Sequence, residues 1–290
     1  MIKRISQLLL LALAIHYIPK FCRSKTAGFT IPNIQSHLAY NSDWEVANPP
    51  LPEIFNQSFS YFSAGGQCYV FLSEDGNYVL KFFKHHQRRL PFLVEYLPLP
   101  AKWAAKREKQ RARRLKKLQR DYRSYKLAIE QLEEETGLLY VHLNQTTDLK
   151  KSARIIDKLN ITHRVPLDQV GFIVQKRASL ALPHLSELIE AHDIPLAKSA
   201  IESVCNLILT RCEKGIYDED AKIHRNFGFI DNRAILIDVG RLRPDPRRTD
   251  PKIQQADLFK ITKRLDDYLS SMSPELSEHL HTYLQERIHD

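Results

Sequence analysis

Apolar and polar residues keep a short period through the first third of the chain and a longer one after it. Between residues 59 and 84, aromatic and β-branched side chains crowd into three runs, 59–62, 67–72 and 77–84. They are divided by Ala64-Gly65-Gly66 and by Glu74-Asp75-Gly76. Such runs predict strands, and Asp-Gly between two of them predicts a hairpin. Because side chains alternate along a strand, Val79 and Lys81 share one face of the third run and Tyr78, Leu80 and Phe82 the other. Farther on, Leu115, Leu118, Tyr122, Tyr125, Ile129 and Leu132 recur at intervals of three and four, one stripe of a long amphipathic helix that Thr136-Gly137 is expected to stop.

Two more strands are predicted at 153–159 and 170–175, followed by helices at 185–191 and 196–214. The second helix carries Ala200, Ile201, Val204, Leu207 and Ile208, apolar enough for a core position. A polar turn over 217–226 then opens a second hairpin, 227–230 and 234–237 about Asp231-Asn232. The Pro- and Arg-rich loop 241–251 and two helices, 254–269 and 274–288, close the chain.

A 290-residue chain with 43% apolar residues has the length and composition for one two-lobed domain, and no repeat or low-complexity tract appears. The net charge of +9 is local: residues 102–126 hold twelve Lys/Arg against Glu108 and Asp121, and the remainder is close to neutral. That segment, led by Trp103, reads as a solvated helix face, with an anionic membrane surface or a partner as possible contacts. As a nucleic-acid site it would hold phosphates with little reading of sequence, so sequence-specific binding is not expected. Residues 1–25 begin with a charged start and an apolar stretch, signal- or anchor-like but short of a bilayer span. Export or membrane association follows if that segment acts as such, and a cytoplasmic domain with a packed N-terminal helix otherwise. Cys205 and Cys212, about 10 Å apart along one helix, cannot bridge each other, and all four cysteines read as structural or incidental.

Phosphate chemistry needs backbone that approaches phosphates closely, a fixed cation, and oxygen ligands for Mg²⁺. Gly65-Gly66, Lys81, and then Asn226 and Asp238 supply these in that order. A lysine bracketed by Tyr78, Val79, Leu80, Phe82 and Phe83 is out of place on a simple buried strand, as is an aspartate directly after Ile235-Leu236-Ile237. From residue 59 to 242 the pieces together resemble the protein-kinase-like superfamily, as a minimal, divergent bacterial-type kinase or a pseudokinase. The matching pieces are the glycine-containing hairpin, the strand lysine in Val79-Leu80-Lys81, the long helix, two strands, the buried helix, an Asp…Asn loop, and Asp238-Val239-Gly240 in place of Asp-Phe-Gly. The family's full Gly-x-Gly-x-x-Gly is absent.

The resemblance implies an α+β, two-lobed protein-kinase-like fold. Its antiparallel-sheet N-lobe would span 55–177 and its reduced helical C-lobe 178–290, after an extended lead-in at 26–54. It implies ATP- and Mg²⁺-dependent phosphoryl transfer to a protein hydroxyl, a small molecule or a lipid-linked sugar. Gly65, Gly66 and Gln67 would cover the phosphates, Val79 would line the adenine pocket, Lys81 would hold the phosphates, and Asn226 and Asp238 would bind Mg²⁺. The expected ion-pair partner of Lys81 is Asp121, about 70° off the apolar stripe, whereas Glu130 is about 110° away. The family's catalytic base stands five residues before the metal-binding Asn, where this chain has Ala221. That role falls to Asp220, which needs the smaller rearrangement, or to Asp218. With neither in place the chain would be a pseudokinase scaffold. His224 reads as an exposed loop residue. Only about fifty residues follow Gly240, with no Ala-Pro-Glu segment, too few for the usual peptide-binding platform.

Overall fold

The computed structural model describes residues 2–88, 90 and 92–289. Helix α1 (Ile2–Thr26) and the single turn α2 (Ile31–Ile34) precede strands β1 (Ser58–Ala64), β2 (Cys68–Ser73) and β3 (Tyr78–Phe83). Helices α3 (Phe92–Tyr96), α4 (Ala101–Gln131) and α5 (Glu133–Thr136) lead to β4 (Leu138–His142), β5 (Ser152–Ile156), β6 (Thr162–Pro166) and β7 (Phe172–Lys176). After β8 (Ser179–Leu180) come α6 (Ala181–Glu190), α7 (Ile194–Glu213), β9 (Ile216–Asp218) and α8 (Ile223–Asn226). The hairpin β10 (Phe227–Ile230) and β11 (Arg233–Leu236), the strand β12 (Leu242–Pro244), and helices α9 (Pro251–Met272) and α10 (Pro274–His289) complete the chain. The protein is α+β and forms two compact units that interleave in sequence: 1–41, 52–114 and 142–172 in one, 42–51, 115–141 and 173–290 in the other.

In the first unit, five strands run in the order β3-β2-β1-β5-β6. The β2–β3 turn forms as its Asp-Gly predicts: Asp75 Oδ1 accepts from Ser73 Oγ at 2.6 Å and from the Asn77 N–H at 2.9 Å, while Gly76 takes φ 74°. β1 is antiparallel to β2 but parallel to β5, so this sheet is mixed rather than purely antiparallel. The long connection between β1 and β5 permits that direction, because a parallel pair needs a crossover. The strand expected at 153–159 folds back on itself. Asp157 Oδ1 accepts from the N–H groups of Leu159 (2.8 Å) and Ile161 (3.0 Å), Asn160 takes φ 62°, and β6 returns antiparallel. Phe29 joins the aromatic core with edge-on contacts to Tyr69 (5.3 Å) and Phe71 (5.0 Å), so the lead-in is partly built into this unit.

In the second unit, α7 buries Ala197, Ala200, Ile201, Val204 and Ile208, with α9 and α10 against it. The apolar stripe of α4 is buried from Leu118 onward, whereas Leu115 at its head is 41% exposed. The helix breaks at Leu132, resumes for the turn of α5, and ends where Gly137 adopts φ 61°, the left-handed conformation that glycine takes without strain. Asp231 and Asn232 both take positive φ, 47° and 62°, closing the β10–β11 hairpin. β8 lies so close to β10 that a Cβ on Gly228 would meet the Ser179 carbonyl oxygen at 2.5 Å.

The exposed apolar side chains of α1 include Leu13, Ile15, Tyr17 and Phe21, and among the described residues no helix is long and apolar enough to cross a membrane. Cys22 is exposed and Cys68, Cys205 and Cys212 are buried, all four as free thiols.

Candidate functional site

The register of the β10–β11 hairpin decides where the expected metal ligands stand. Phe227 pairs with Leu236, and one step farther out the Ile237 N–H donates to the Asn226 carbonyl at 2.9 Å. Asn226 and Asp238, remote in sequence, thus leave the hairpin at the same open end. Asn226 is buried, and its Nδ2 donates to the Asp220 carbonyl at 2.5 Å, which leaves its amide oxygen as the uncommitted end of the side chain. Asp238 is exposed, with one carboxylate oxygen accepting from the Gly240 N–H at 3.2 Å. An amide oxygen and a carboxylate are hard oxygen donors that suit Mg²⁺. Among the described residues no group of three or more His, Cys, Asp or Glu is gathered closely enough to hold a metal ion by itself.

Asp218 and Asp220, the two aspartates expected to compete for the role of base, have different surroundings. Asp218 ends β9 with its side chain 2% exposed, and burial pushes its carboxyl up to about 6. Its Oδ1 accepts from the Asp220 N–H at 2.9 Å, while Oδ2 is buried with no hydrogen bond. Asp220 is one-third exposed and pairs with Lys222 Nζ at 2.5 Å and Arg225 at 3.6 Å. Its carboxyl is held below the ordinary aspartate value: burial opposes the shift, and the hydrogen bond and charge of Lys222 outweigh it. Of the two, Asp220 is the one whose carboxylate reaches solvent, and Asp218 holds the Asp220 backbone.

Below this loop lies a chain of buried charges that the sequence reading passed over. Arg211, on the apolar stripe of α7, is 1% exposed and stands 4.0 Å from Asp218 Oδ2 and 3.3 Å from Asp257 Oδ2 on α9. Asp257 also takes Arg248 at 2.6 Å, and Arg248 in turn reaches Asp245 at 3.4 Å and lies over the Tyr217 ring at 3.9 Å. Asp245 is held down to about 2, chiefly by its hydrogen bond to Arg247. The signal was present in the sequence: Arg211 follows Ile208 by three and Leu207 by four, a charge on a stripe that should be apolar. Ser124, fully buried on α4, was also missed. Its hydroxyl donates to the Val239 carbonyl and accepts from the Leu242 N–H at 2.6 Å, clamping the Asp238-Val239-Gly240 turn from both ends. Asp121, one turn earlier on the same helix, is 1% exposed and pairs with Arg120 at 3.2 Å.

In the first unit, β3 buries Val79 and half-buries Lys81, whose register partner on β2 is Val70. The Gly65-Gly66 turn is closed by the Gly65 N–H donating to the Cys68 carbonyl at 3.0 Å. Lys84 secures it from outside, donating to the Gly65 carbonyl at 2.6 Å with its ammonium 4.6 Å from the Tyr69 ring centre. A Cβ on Gly66 would meet nothing within 4 Å, so no crowding inside the chain demands glycine there. Gln67, next in line, keeps a buried Oε1 with no hydrogen-bond partner, an orphaned acceptor beside the turn expected to face phosphates.

No protein-family model matches the chain, and no curated protein matches it. Among solved structures it is similar to WbdD, a bifunctional kinase-methyltransferase, with 15% identity, a TM-score of 0.38, and 76% of this chain covering 42% of that one. A complex of WbdD with the kinase inhibitor LY294002 gives 14% identity and 0.38, over 78% of this chain and 45% of that one. A 2.2 Å crystal structure of WbdD gives 16% and 0.39, over 80% and 46%. The chain spans less than half the length of these structures, and at such scores the likeness transfers neither a site nor an activity.

Proposed function

We propose that this protein is a protein-kinase-like phosphotransferase that moves the γ-phosphoryl group of ATP, with Mg²⁺, to an acceptor hydroxyl. The observation that supports the reading is that one hairpin register and one side-chain hydrogen bond keep Asp220, Asn226 and Asp238, three side chains with oxygen atoms, near the same end of the hairpin. In the transfer, the acceptor oxygen bonds to the γ-phosphorus, the bond from that phosphorus to the bridging oxygen breaks, and ADP leaves. Asp220 takes the hydroxyl proton. A lowered pKa suits this role, because in a loose phosphoryl-transfer transition state positioning and charge stabilisation matter more than base strength. Asn226 and Asp238 would hold Mg²⁺, which would neutralise charge on the phosphate oxygens.

From the first unit, the resemblance assigns Gly65, Gly66 and Gln67 to the phosphates, Val79 to the adenine and Lys81 to the phosphates. The absence of any internal demand for glycine at position 66 supports that assignment, since it makes sense with a ligand close to the turn. One observation favours the pseudokinase reading: the Asp220 carboxylate is already engaged by Lys222 and Arg225.

Thermal unfolding of the full chain, titrated with ATP with and without Mg²⁺, tests the proposal. A ligand at a hundred times its Kd adds about 2.7 kcal/mol. The expected result is a Mg²⁺-dependent rise in Tm that Lys81→Met and Asp238→Ala abolish. No shift with any nucleotide would remove the phosphotransferase reading, and a shift without turnover of ATP would leave the pseudokinase.

A further inference from the structure

Beside the candidate base, within the second unit, lies an open cleft of about 360 Å³ lined by Ala221, Lys222, Ile223, His224 and Arg225 and, from α9, Lys260, Ile261 and Arg264. No acidic residue lines it, and neither Asn226 nor Asp238 does, so it is separate from the edge that would take metal. Four formal cations border it, and the carboxylate that pairs with any of them is Asp220, against Lys222 and Arg225. Lys260 and Arg264 make no ion pair among the described residues. Arg211, Arg243, Arg247 and Arg248 of the same unit are all matched to carboxylates. His224, expected as an exposed loop residue, is half-buried at the wall with Nδ1 enclosed and without a hydrogen-bond partner. Gathering like charges around a concave surface with an unmet polar atom is costly unless an anion relieves it.

We infer that this cleft seats a phosphomonoester on the acceptor, so that the substrate class is a hydroxyl compound already carrying phosphate. The inference rests on the phosphotransferase reading and adds to it the chemistry of the acceptor. An arginine fork with nearby ammonium groups matches a doubly charged phosphate better than a single carboxylate. The position also fits: Lys222 lines the cleft and touches Asp220, so an acceptor anchored there by its phosphate presents its hydroxyl at the carboxylate that would take the proton.

The test needs no nucleotide. Full-length protein is titrated calorimetrically with glycerol 3-phosphate and with glycerol, and sedimented with vesicles of phosphatidylcholine with or without phosphatidic acid. The expected result is binding of glycerol 3-phosphate or of the phosphatidic acid vesicles, weakened at least tenfold by the double variant Lys260→Glu/Arg264→Glu. The same charge change on α4, Lys109→Glu/Arg113→Glu, should leave binding within twofold. Soluble phosphate bound would assign a free phosphomonoester, and vesicles alone bound would assign a lipid headgroup. Binding of neither, or equal loss in the α4 control, would overturn the inference. Failure of the ATP titration would instead overturn the phosphotransferase reading, and the two results are read independently.

Discussion

Two sets of carboxylates in the second unit use the same side chain in opposite ways. Asp220 and Asp238 stand at an edge open to solvent, each held by a few hydrogen bonds or surface ion pairs. Asp218 and Asp257 lie beneath them, 2% and 8% exposed at their side chains, on either side of the buried Arg211. Exposure leaves the first set accessible from solvent. Burial makes the second set dependent on paired guanidiniums, Arg211 for both and Arg248 as well for Asp257, as befits groups that hold a loop in place. Asp218 and Asp220 are two residues apart, so the division between buried and accessible falls within a single turn of chain.

The sharpest way to break this contrast is to remove the shared cation. Arg211→Leu should cost about 3–5 kcal/mol by urea unfolding, because it leaves the buried Asp218 without its cation and Asp257 with Arg248 alone. A loss below about 1 kcal/mol would show that the network is not structural. The opposite side is probed by Asp220→Asn, expected to lower turnover about 10²–10⁴-fold while leaving urea stability within about 1 kcal/mol, since its ion pairs are at the surface. A stability loss comparable to that of Arg211→Leu would erase the distinction.

A third test is thermodynamic. The folded Asp218 carboxyl titrates at about 6, above its ordinary 3.8, so the folded state binds this proton more tightly than the unfolded chain. The group's contribution is fully present below about pH 4 and is lost as pH rises through about 6, a fall of up to about 3 kcal/mol. Asp218→Asn should lack that slope, and parallel urea-stability curves from pH 4 to 7 would contradict the assignment. The smallest expected effect is that of Ser124→Ala, about 1–3 kcal/mol from two buried hydrogen bonds at the Val239 turn. No measurable change would mean that the clamp is made elsewhere.

Much of the site could be read from local pattern. Turn chemistry at Asp231-Asn232 together with alternating apolar residues places Asn226 and Asp238 at one hairpin mouth, because antiparallel register follows from the turn. Lys81 stands out in the sequence because a charge in an aromatic strand violates burial statistics, and the strand half-buries it. The same rule applied to α7 would have found Arg211. The choice between Asp220 and Asp218 was not legible, since spacing leaves both open and burial alone separates them. The β5–β6 turn at Asp157 was also hidden, its signal being the side-chain acceptor rather than a glycine.

The sequence by itself determined the longer helices, the β2–β3 hairpin and the β10–β11 hairpin that aligns Asn226 with Asp238, because strand period, helix period and turn propensity act over a few neighbouring residues. The tertiary structure alone decided which aspartate is accessible, that Arg211 on α7 joins Asp218 on β9 to Asp257 on α9, and that Lys260 and Arg264 meet Lys222 and His224 around one cleft. Desolvation and Coulomb interactions depend on distance through space, and residues separated by tens of positions acquire that distance only when the chain packs.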